Sequence, residues 1–567
     1  MAPLVLVSGL ARGLNNGIYF DSPPLGWRSW NCYQDDVTQE KIERVVDAMV
    51  QTRHDGTSLR LLGYVNIGLD DNWQQCSGHQ GDTSYHDAAG NPMVNRDRFP
   101  DLKQMTDYGH AHGMRMGWYM NNCLCAEHHG HLDEATVIRQ NVQALVRYGF
   151  DGVKLDGCGR YMDIPLWASS INATGRRVMI ENCHWGVCTD DWRHACPTRR
   201  ADGAVDCPMH FFRTSGDIDS SEYSWLRNLE TAVRFLAWDA PLAGRGCWAY
   251  PDMIELGNGA IDEASTEWQR AHYSAWVIMS APLVLGFDPL DTAKLDRLWP
   301  IIANREAIAI NQNWAGHPGT RVMAWTPPGE TRIDGTPLQA FQRSDDVYYT
   351  RAAIHTMQLW MKPQPNGSVA ILVLNAGKAN AAFDLPLAEV AMPPTVRVRD
   401  IWAHADVDDA HESLQGHVDG HACKLLLLRP SSSPPPPSPP LPPSPSPPPP
   451  PSPPPPPSPH PPSPSPLPPL PRVFDLSPPP SSLEEVHVEA GQVLGPPEAQ
   501  PVDWTSALGL LALLSACCGA AWTTWKRTSI ARSEPKRNVR RERKPRRSKR
   551  RQDDHLEQVV PIVWDED

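Results

Sequence analysis

Acidic and basic side chains recur in this chain wherever a short apolar run stops. GYVNIGL leads into Asp70-Asp71, MRMGWY ends on Tyr119, GVKL carries Lys154 and runs into Asp156, and RVMI is followed by Glu181. Further on, HFFRTSGD brings Arg213 and Asp217, and CWAYPDM brings Asp252 and Met253. A single acid after a strand is an ordinary solvated loop residue. Acids, a lysine and an arginine at successive run ends make a set that can move protons and grip hydroxyl groups. Lys154 stands two residues before Asp156, so on a strand both side chains leave the same face. A cation there favours the ionised carboxylate, the form a nucleophile requires.

Such a set works only if the elements carrying it converge. From about residue 14 to 315 short β-type runs alternate with amphipathic helices. One helix is expected after Asp36 as N-cap, with Ile42, Val45, Val46 and Met49 on one face; another carries Ile138, Val142 and Leu145. Repeated β-then-α predicts a parallel sheet, closed as a (β/α)8 barrel or open and doubly wound. No GxGxxG or GxxxxGK[ST] loop follows an early run, which weakens the nucleotide-binding version. In a barrel the run ends meet on the carboxyl-terminal face, where active sites lie. Downstream, residues 347–351, 357–361, 368–374, 396–402 and 424–428 are short β-type runs with no helical pattern between them. They predict a small antiparallel β-sandwich over 320–429.

The rest of the chain is of a different kind. Of 59 prolines in 567 residues, 31 fall between Pro430 and Pro480. Proline fixes φ and lacks an N–H, so 430–480 reads as an extended Ser/Pro stalk, followed by a linker over 481–503. Residues 504–525 (WTSALGLLALLSACCGAAWTTW) carry no charge and are long enough to cross a bilayer, with Trp504, Trp522 and Trp525 near the ends. Fourteen Lys/Arg against two Glu follow in 526–552, then an acidic end, so 526–567 reads as a basic-then-acidic cytosolic tail. The net charge of −13 despite that basic run leaves an acidic main body, which argues against nucleic acid as a partner. Two sequons, Asn172-Ala-Thr and Asn366-Gly-Ser, and eleven Cys before the stalk fit an oxidising lumen. The expectation is a single-pass type I membrane protein with its folded body outside the cytosol, although residues 1–13 make a poor signal peptide.

The motifs LNNGIYFDSPPLGWRSWN, NIGLDDNW, GVKLDGC, FRTSGDID, PDMIELGN, SAPLVLG and REAIAINQN stand in an order that resembles the melibiase family over roughly residues 14–430. That family comprises retaining α-galactosidases and α-N-acetylgalactosaminidases. The resemblance implies a (β/α)8 catalytic domain over 14–315 followed by the sandwich, cofactor-free hydrolysis of a galactoside-containing oligosaccharide or glycoconjugate, and no metal. It implies Asp156 as nucleophile and Asp217 as acid/base. Asp70 and Asp71 would hold the 4- and 6-hydroxyls, Lys154 the 3- and 4-hydroxyls, and Arg213 the 2-hydroxyl. Trp30 and Tyr119 would wall the pocket, with Asp252 and Met253 on its far side. A retaining glycosidase sets its two carboxyl groups about 5–5.5 Å apart, one to attack the anomeric carbon and one to protonate the leaving oxygen.

Departures from the family pattern matter as much. Where the family reads Cys-Glu-Trp, this chain has Cys183-His184-Trp185, so His184 and Trp185 would face the sugar with an imidazole in place of a carboxylate. Val187 and Cys188 stand at the positions that separate galactose from N-acetylgalactosamine and match neither pattern. Asn72 replaces a family cysteine, which leaves Cys76 as the candidate partner of Cys32. The family's cysteine pair near the nucleophile implies Cys123 or Cys125 bonded to Cys158. Cys123 and Cys125 with His128, His129 and His131 have a zinc-like flavour, outweighed by that disulfide precedent. The reading is therefore an α-galactosidase. Its alternatives are a β-L-arabinopyranosidase, an α-N-acetylgalactosaminidase, or a catalytically dead sugar-binding wall module.

Overall fold

The computed structural model describes residues 12–13 (backbone), 21–76, 84–120, 132–158, 161–188, 196–335 and 353–431. The expectations for Cys123, Cys125, the run 347–351, the stalk beyond residue 431, the linker, the apolar span and the tail lie outside these residues.

Eight parallel strands form the first sheet: β1 (Leu25–Arg28), β2 (Tyr64–Gly68), β3 (Arg115–Met120), β4 (Gly152–Asp156), β5 (Met179–Cys183), β6 (Phe211–Arg213), β7 (Trp248–Tyr250) and β8 (Leu283–Leu285). Their order is β7-β6-β5-β4-β3-β2-β1-β8, every neighbour parallel. Just past β7, Ile254 bridges to Leu285 of β8: its N–H donates to the Val284 carbonyl at 2.8 Å, and the Gly286 N–H donates to its own carbonyl at 3.1 Å. That bridge joins the two edge strands into a barrel. Strands β4 and β8 are buried at every position, as strands covered on both faces must be.

Helices cover the outside: α1 (Gln39–Val50), α2 (Leu102–Ala111), α3 (Glu134–Tyr148), α4 (Ile164–Ala173), α5 (Ser224–Ala232), α6 (Thr266–Ile278), α7 (Thr292–Ile302) and α8 (Arg305–Gln312). In α1 the apolar face is Ile42, Val45, Val46 and Met49, all buried, but the cap is Thr38, whose hydroxyl accepts the Lys41 N–H at 3.3 Å, rather than Asp36. Ile138, Val142 and Leu145 are the buried face of α3, and Asp133 caps it. The β-then-α alternation lapses once. Among the described residues no helix joins β5 to β6. That connection contains a Cys188–Cys196 disulfide and two short strands, Thr198–Arg199 and Val205–Cys207, the second of which pairs with Arg12–Gly13.

The second domain is an antiparallel sheet of eight strands: β9 (Thr320–Trp325), β10 (Met357–Pro363), β11 (Val369–Asn375), β12 (Ala381–Pro386), β13 (Thr395–Asp400), β14 (Ala405–His411), β15 (Ser413–Val418) and β16 (Ala422–Pro430), in the order β9-β10-β11-β16-β13-β14-β15-β12. A single residue pair, His411 with Ser413, links β14 to β15, and there the sheet folds over on itself. Ile371 and Val373 of β11 meet Phe383 and Leu385 of β12 in the enclosed core. The other face of β11, Ala370, Leu372 and Leu374, joins the barrel's own apolar core, so all seven β11 residues are buried. Polar contacts reinforce the junction. Trp402 Nε1 donates to Ser274 Oγ at 3.1 Å, Asn304 Nδ2 to the Ile401 carbonyl at 3.1 Å, and Lys362 Nζ to the Asn311 carbonyl at 2.8 Å, at the end of α8 where a donor satisfies a carbonyl left without a helical partner.

Candidate active site

The carboxyl ends of the barrel strands surround a cavity of about 570 Å³, in the size range of small-molecule sites. Trp30, Asp70, Asp71, Tyr119, Lys154, Asp156, Trp185, Arg213, Asp217, Asp252 and Met253 all line it, together with Asn31 and Cys158. Of the site residues expected from the sequence, His184 is the exception: it is buried at 1 % exposure and is not among the lining residues.

Local geometry fixes each group. After β2, Ser29 Oγ accepts the Asp70 N–H at 3.0 Å, Asp70 Oδ1 accepts the Asp71 N–H at 2.9 Å, and Asp71 Oδ1 accepts the Asn72 N–H at 2.8 Å. Asn72 takes φ 78°, a left-handed conformation that asparagine tolerates, which suits the residue standing there. On β4, Asp156 Oδ1 accepts the Gly157 N–H at 2.7 Å and Oδ2 accepts the Tyr119 hydroxyl at 2.9 Å. Trp185 follows β5 at φ 52°, and the next residue must be glycine: a Cβ on Gly186 would stand 2.2 Å from the Thr214 carbonyl. Close packing of this turn on the Arg213–Asp217 segment thus brings Trp185 and Asp217 to one cavity.

Two charge clusters, buried except at Asp217, run through the lining. Lys154 Nζ donates to Asp70 Oδ2 at 2.9 Å, and Arg28 Nη1 donates to the same oxygen at 3.2 Å while its Nη2 pairs with Glu181. In the second cluster Arg213 Nη2 reaches Asp252 Oδ2 at 2.8 Å and Asp217 Oδ1 at 3.0 Å. Asp252 is further held by the Ile218 N–H at 2.9 Å and the Met253 N–H at 2.8 Å, which stabilises its φ of 105°.

Electrostatics separate the acids. Burial opposes ionisation of Asp70, but Lys154 and Arg28 outweigh it and hold the carboxyl below its ordinary range. Burial pushes Asp156 up to about 7; Lys154 and the Tyr119 hydroxyl oppose the rise, and the charge of Asp217 adds to it. The lysine expected to favour an ionised Asp156 therefore makes its ion pair with Asp70, and desolvation wins at Asp156. Burial also raises Asp252 against the pull of Arg213.

Sequence reasoning missed Arg28 and Glu255. Nothing around the arginine in GWRSWN marks it as interior, yet it is only 7 % exposed. Glu255 sits behind the wall, 2 % exposed, paired with Asn31 Nδ2 and accepting from Asn258 Nδ2 at 3.2 Å; burial pushes it up to about 8. The cysteines need one correction. Cys32 is free, its thiol turned back to the Ser29 carbonyl at 3.6 Å within its own helical turn, so it does not bond Cys76, which is disulfide-bonded elsewhere. Cys158 is disulfide-bonded, with its partner outside the described residues. Cys207 and Cys247 form a further disulfide. Among the described residues no group of His, Cys, Asp or Glu is arranged to hold a metal.

Comparison with known proteins agrees with this architecture. Residues 22–313 match the family model described as alpha galactosidase A, and residues 355–428 match the alpha galactosidase C-terminal beta sandwich domain. The chain is 28 % identical over 428 residues to an alpha-galactosidase of Cyamopsis tetragonoloba, covering 72 % of this chain and 87 % of that one. It is 30 % identical over 327 residues to the alpha-N-acetylgalactosaminidase of Homo sapiens, covering 54 % and 73 %. The fold is that of alpha-galactosidase I from Mortierella vinacea, with TM-score 0.56 and 21 % identity over 74 % of this chain and 99 % of the other. A GH27 β-L-arabinopyranosidase from Geobacillus stearothermophilus shares it at TM-score 0.55 and 18 % identity, over 73 % and 97 %. Barrel and sandwich thus each match a model of one family in its order, and the chain belongs to the melibiase family.

Proposed function

We propose that this protein is a retaining glycoside hydrolase that releases terminal α-linked galactose by double displacement. One observation carries the reading: Asp156 and Asp217 line the same cavity as the hydroxyl-gripping set Asp70, Asp71, Lys154 and Arg213. Asp156 attacks the anomeric carbon while Asp217 protonates the departing oxygen; Asp217 then takes a proton from the water that hydrolyses the glycosyl-enzyme. Asp217, at 39 % side-chain exposure, is the carboxyl that water can reach. Asp156 is buried and oriented by two hydrogen bonds, as an attacking group should be. Asp71 favours galactose over arabinopyranose, because it offers an acceptor for the exocyclic hydroxyl that arabinopyranose lacks.

Release of nitrophenol from nitrophenyl α-galactoside, α-N-acetylgalactosaminide and β-L-arabinopyranoside tests the assignment. The galactoside is expected to be turned over best; no turnover of any of the three would leave the sugar-binding module as the surviving reading.

We infer further that residues 504–525 anchor the enzyme, with the barrel and sandwich lumenal or extracellular. Support comes from the apolar run, the basic residues after it, the Cys188–Cys196 and Cys207–Cys247 disulfides and the exposed sequon asparagines Asn172 and Asn366. Among the described residues no helix is long and apolar enough to cross a membrane. Detergent partitioning and protease protection of the full chain against residues 1–431 decide the point: the full chain should sediment with membranes and the fragment should not.

A further inference from the structure

Arg28 and Glu181 face each other across the barrel. Strand β1 and strand β5 are four places apart in an eight-stranded ring, so the contact between them passes through the interior rather than along the sheet. The guanidinium is forked: Nη2 holds Glu181 and Nη1 donates to Asp70 Oδ2 at 3.2 Å. Gly68, register partner of Arg28 on β2, leaves the room: a Cβ there would stand 3.1 Å from Arg28 Cζ. Arg28, Glu181 and Asp70 are 7 %, 2 % and 1 % exposed, so solvent does not loosen this arrangement.

Asp70 consequently has no free oxygen on its inner side. Oδ2 is shared by Arg28 and Lys154, and Oδ1 carries the Asp71 N–H. The groups facing Asp70 are thus Arg28 from β1, Lys154 from β4 and Asp71 beside it in the turn, with Glu181 from β5 behind the guanidinium. Lys154 alone is a point charge that holds a carboxylate at a distance but not at an angle; a planar guanidinium fixed at its other end supplies the angle. We propose that Arg28 and Glu181 are a positioning pair, a strut across the barrel that orients Asp70 for the sugar hydroxyls. The inference rests on the galactosidase reading and names two residues that hold one of its sugar-binding groups from below without touching substrate. The competing account is that the pair only fills the barrel interior and neutralises itself.

Replacing both partners by apolar residues separates the accounts, since it leaves no orphaned charge and a buried ion pair exchanged for apolar side chains commonly costs little stability. In Arg28→Met/Glu181→Leu, the KM for nitrophenyl α-galactoside and the galactose Kd by calorimetry should both rise by about tenfold, with kcat falling less than KM rises. Arg28→Lys, which keeps the charge and loses the fork, should also raise KM. Wild-type KM in a folded double variant, or a loss confined to kcat, would overturn the proposal. If the double variant does not fold, Glu181→Gln decides: a raised KM supports the strut and an unchanged KM overturns it. Wild-type protein that neither turns over a galactoside nor binds galactose would sink the underlying reading, a failure distinct from an active wild type with indifferent variants.

Discussion

Tyr119 reaches from β3 to the end of β4 and donates its hydroxyl to Asp156 Oδ2 at 2.9 Å, while the Gly157 N–H occupies Oδ1 at 2.7 Å. The carboxyl is held in one orientation before any substrate arrives. Lys154, which shares the strand with Asp156, makes its own ion pair with Asp70 at 2.9 Å.

Asp156→Asn is expected to abolish turnover of activated and natural galactosides alike, because an amide cannot attack. Residual kcat above about a hundredth of wild type, a loss of only ~2.7 kcal/mol, would exclude Asp156 as nucleophile. Asp217→Ala should spare the first step for leaving groups that need no proton.

The proton balance of the pair gives a second prediction. As the proposed nucleophile Asp156 has to be ionised, and its carboxyl is pushed up to about 7, so kcat/KM on an activated substrate should fall as pH drops through that region. Asp217 contributes to the rise by its negative charge. Asp217→Asn removes that charge and should move the acid limb to lower pH. A limb that stays in place or moves upward would mean the two carboxyls do not feel each other.

Glu255 makes a prediction about stability rather than rate. Its carboxyl rises from 4.5 to about 8 on folding, so the folded chain binds more protons there than the unfolded one. Its contribution is present below pH 4.5 and is lost as pH climbs to about 8. Glu255→Gln, the isostere of the protonated form, should flatten the fall of Tm over that window. Parallel Tm–pH curves for the two proteins would refute it.

The Cys207–Cys247 disulfide joins the β5–β6 connection to the residue before β7 across a separation of 40 residues. Cys207→Ala/Cys247→Ala should cost about 4 kcal/mol on the loop-entropy model, read as a lower denaturant midpoint under non-reducing conditions. Equal midpoints would show that the bond does not form in solution.

Most of what converges on the cavity was legible because strand-end chemistry is local: a β-type run followed by an acid places that acid whatever the rest of the chain does. The runs at 63–69 and 152–155 lie within a residue of β2 and β4. Strands of three residues, β6 and β7, are too short to show a pattern, and they surfaced only through the polar residues after them. ADVDDAH in β14 escaped notice because five of its first residues are exposed, leaving no apolar alternation to read. Arg28 and Glu181 are 153 residues apart in sequence, and nothing in either neighbourhood announces the other. His184 lies beside a lining residue in sequence, but the left-handed turn at Trp185 and Gly186 presents the indole to the cavity while the imidazole is buried.

Strand β11 divides its side chains between two interiors, Ile371 and Val373 inside the sandwich, Leu372 and Leu374 against the barrel. The border between the two matched domains is therefore a border in sequence and not in free energy. A barrel released from its partner near Ala315 would carry a wet apolar scar where Leu372 had been, so it would be a damaged fold rather than a smaller enzyme. Selection meets the two as one object: a substitution at Leu372, which touches no sugar-facing wall, is paid for in the amount of working enzyme a cell can keep.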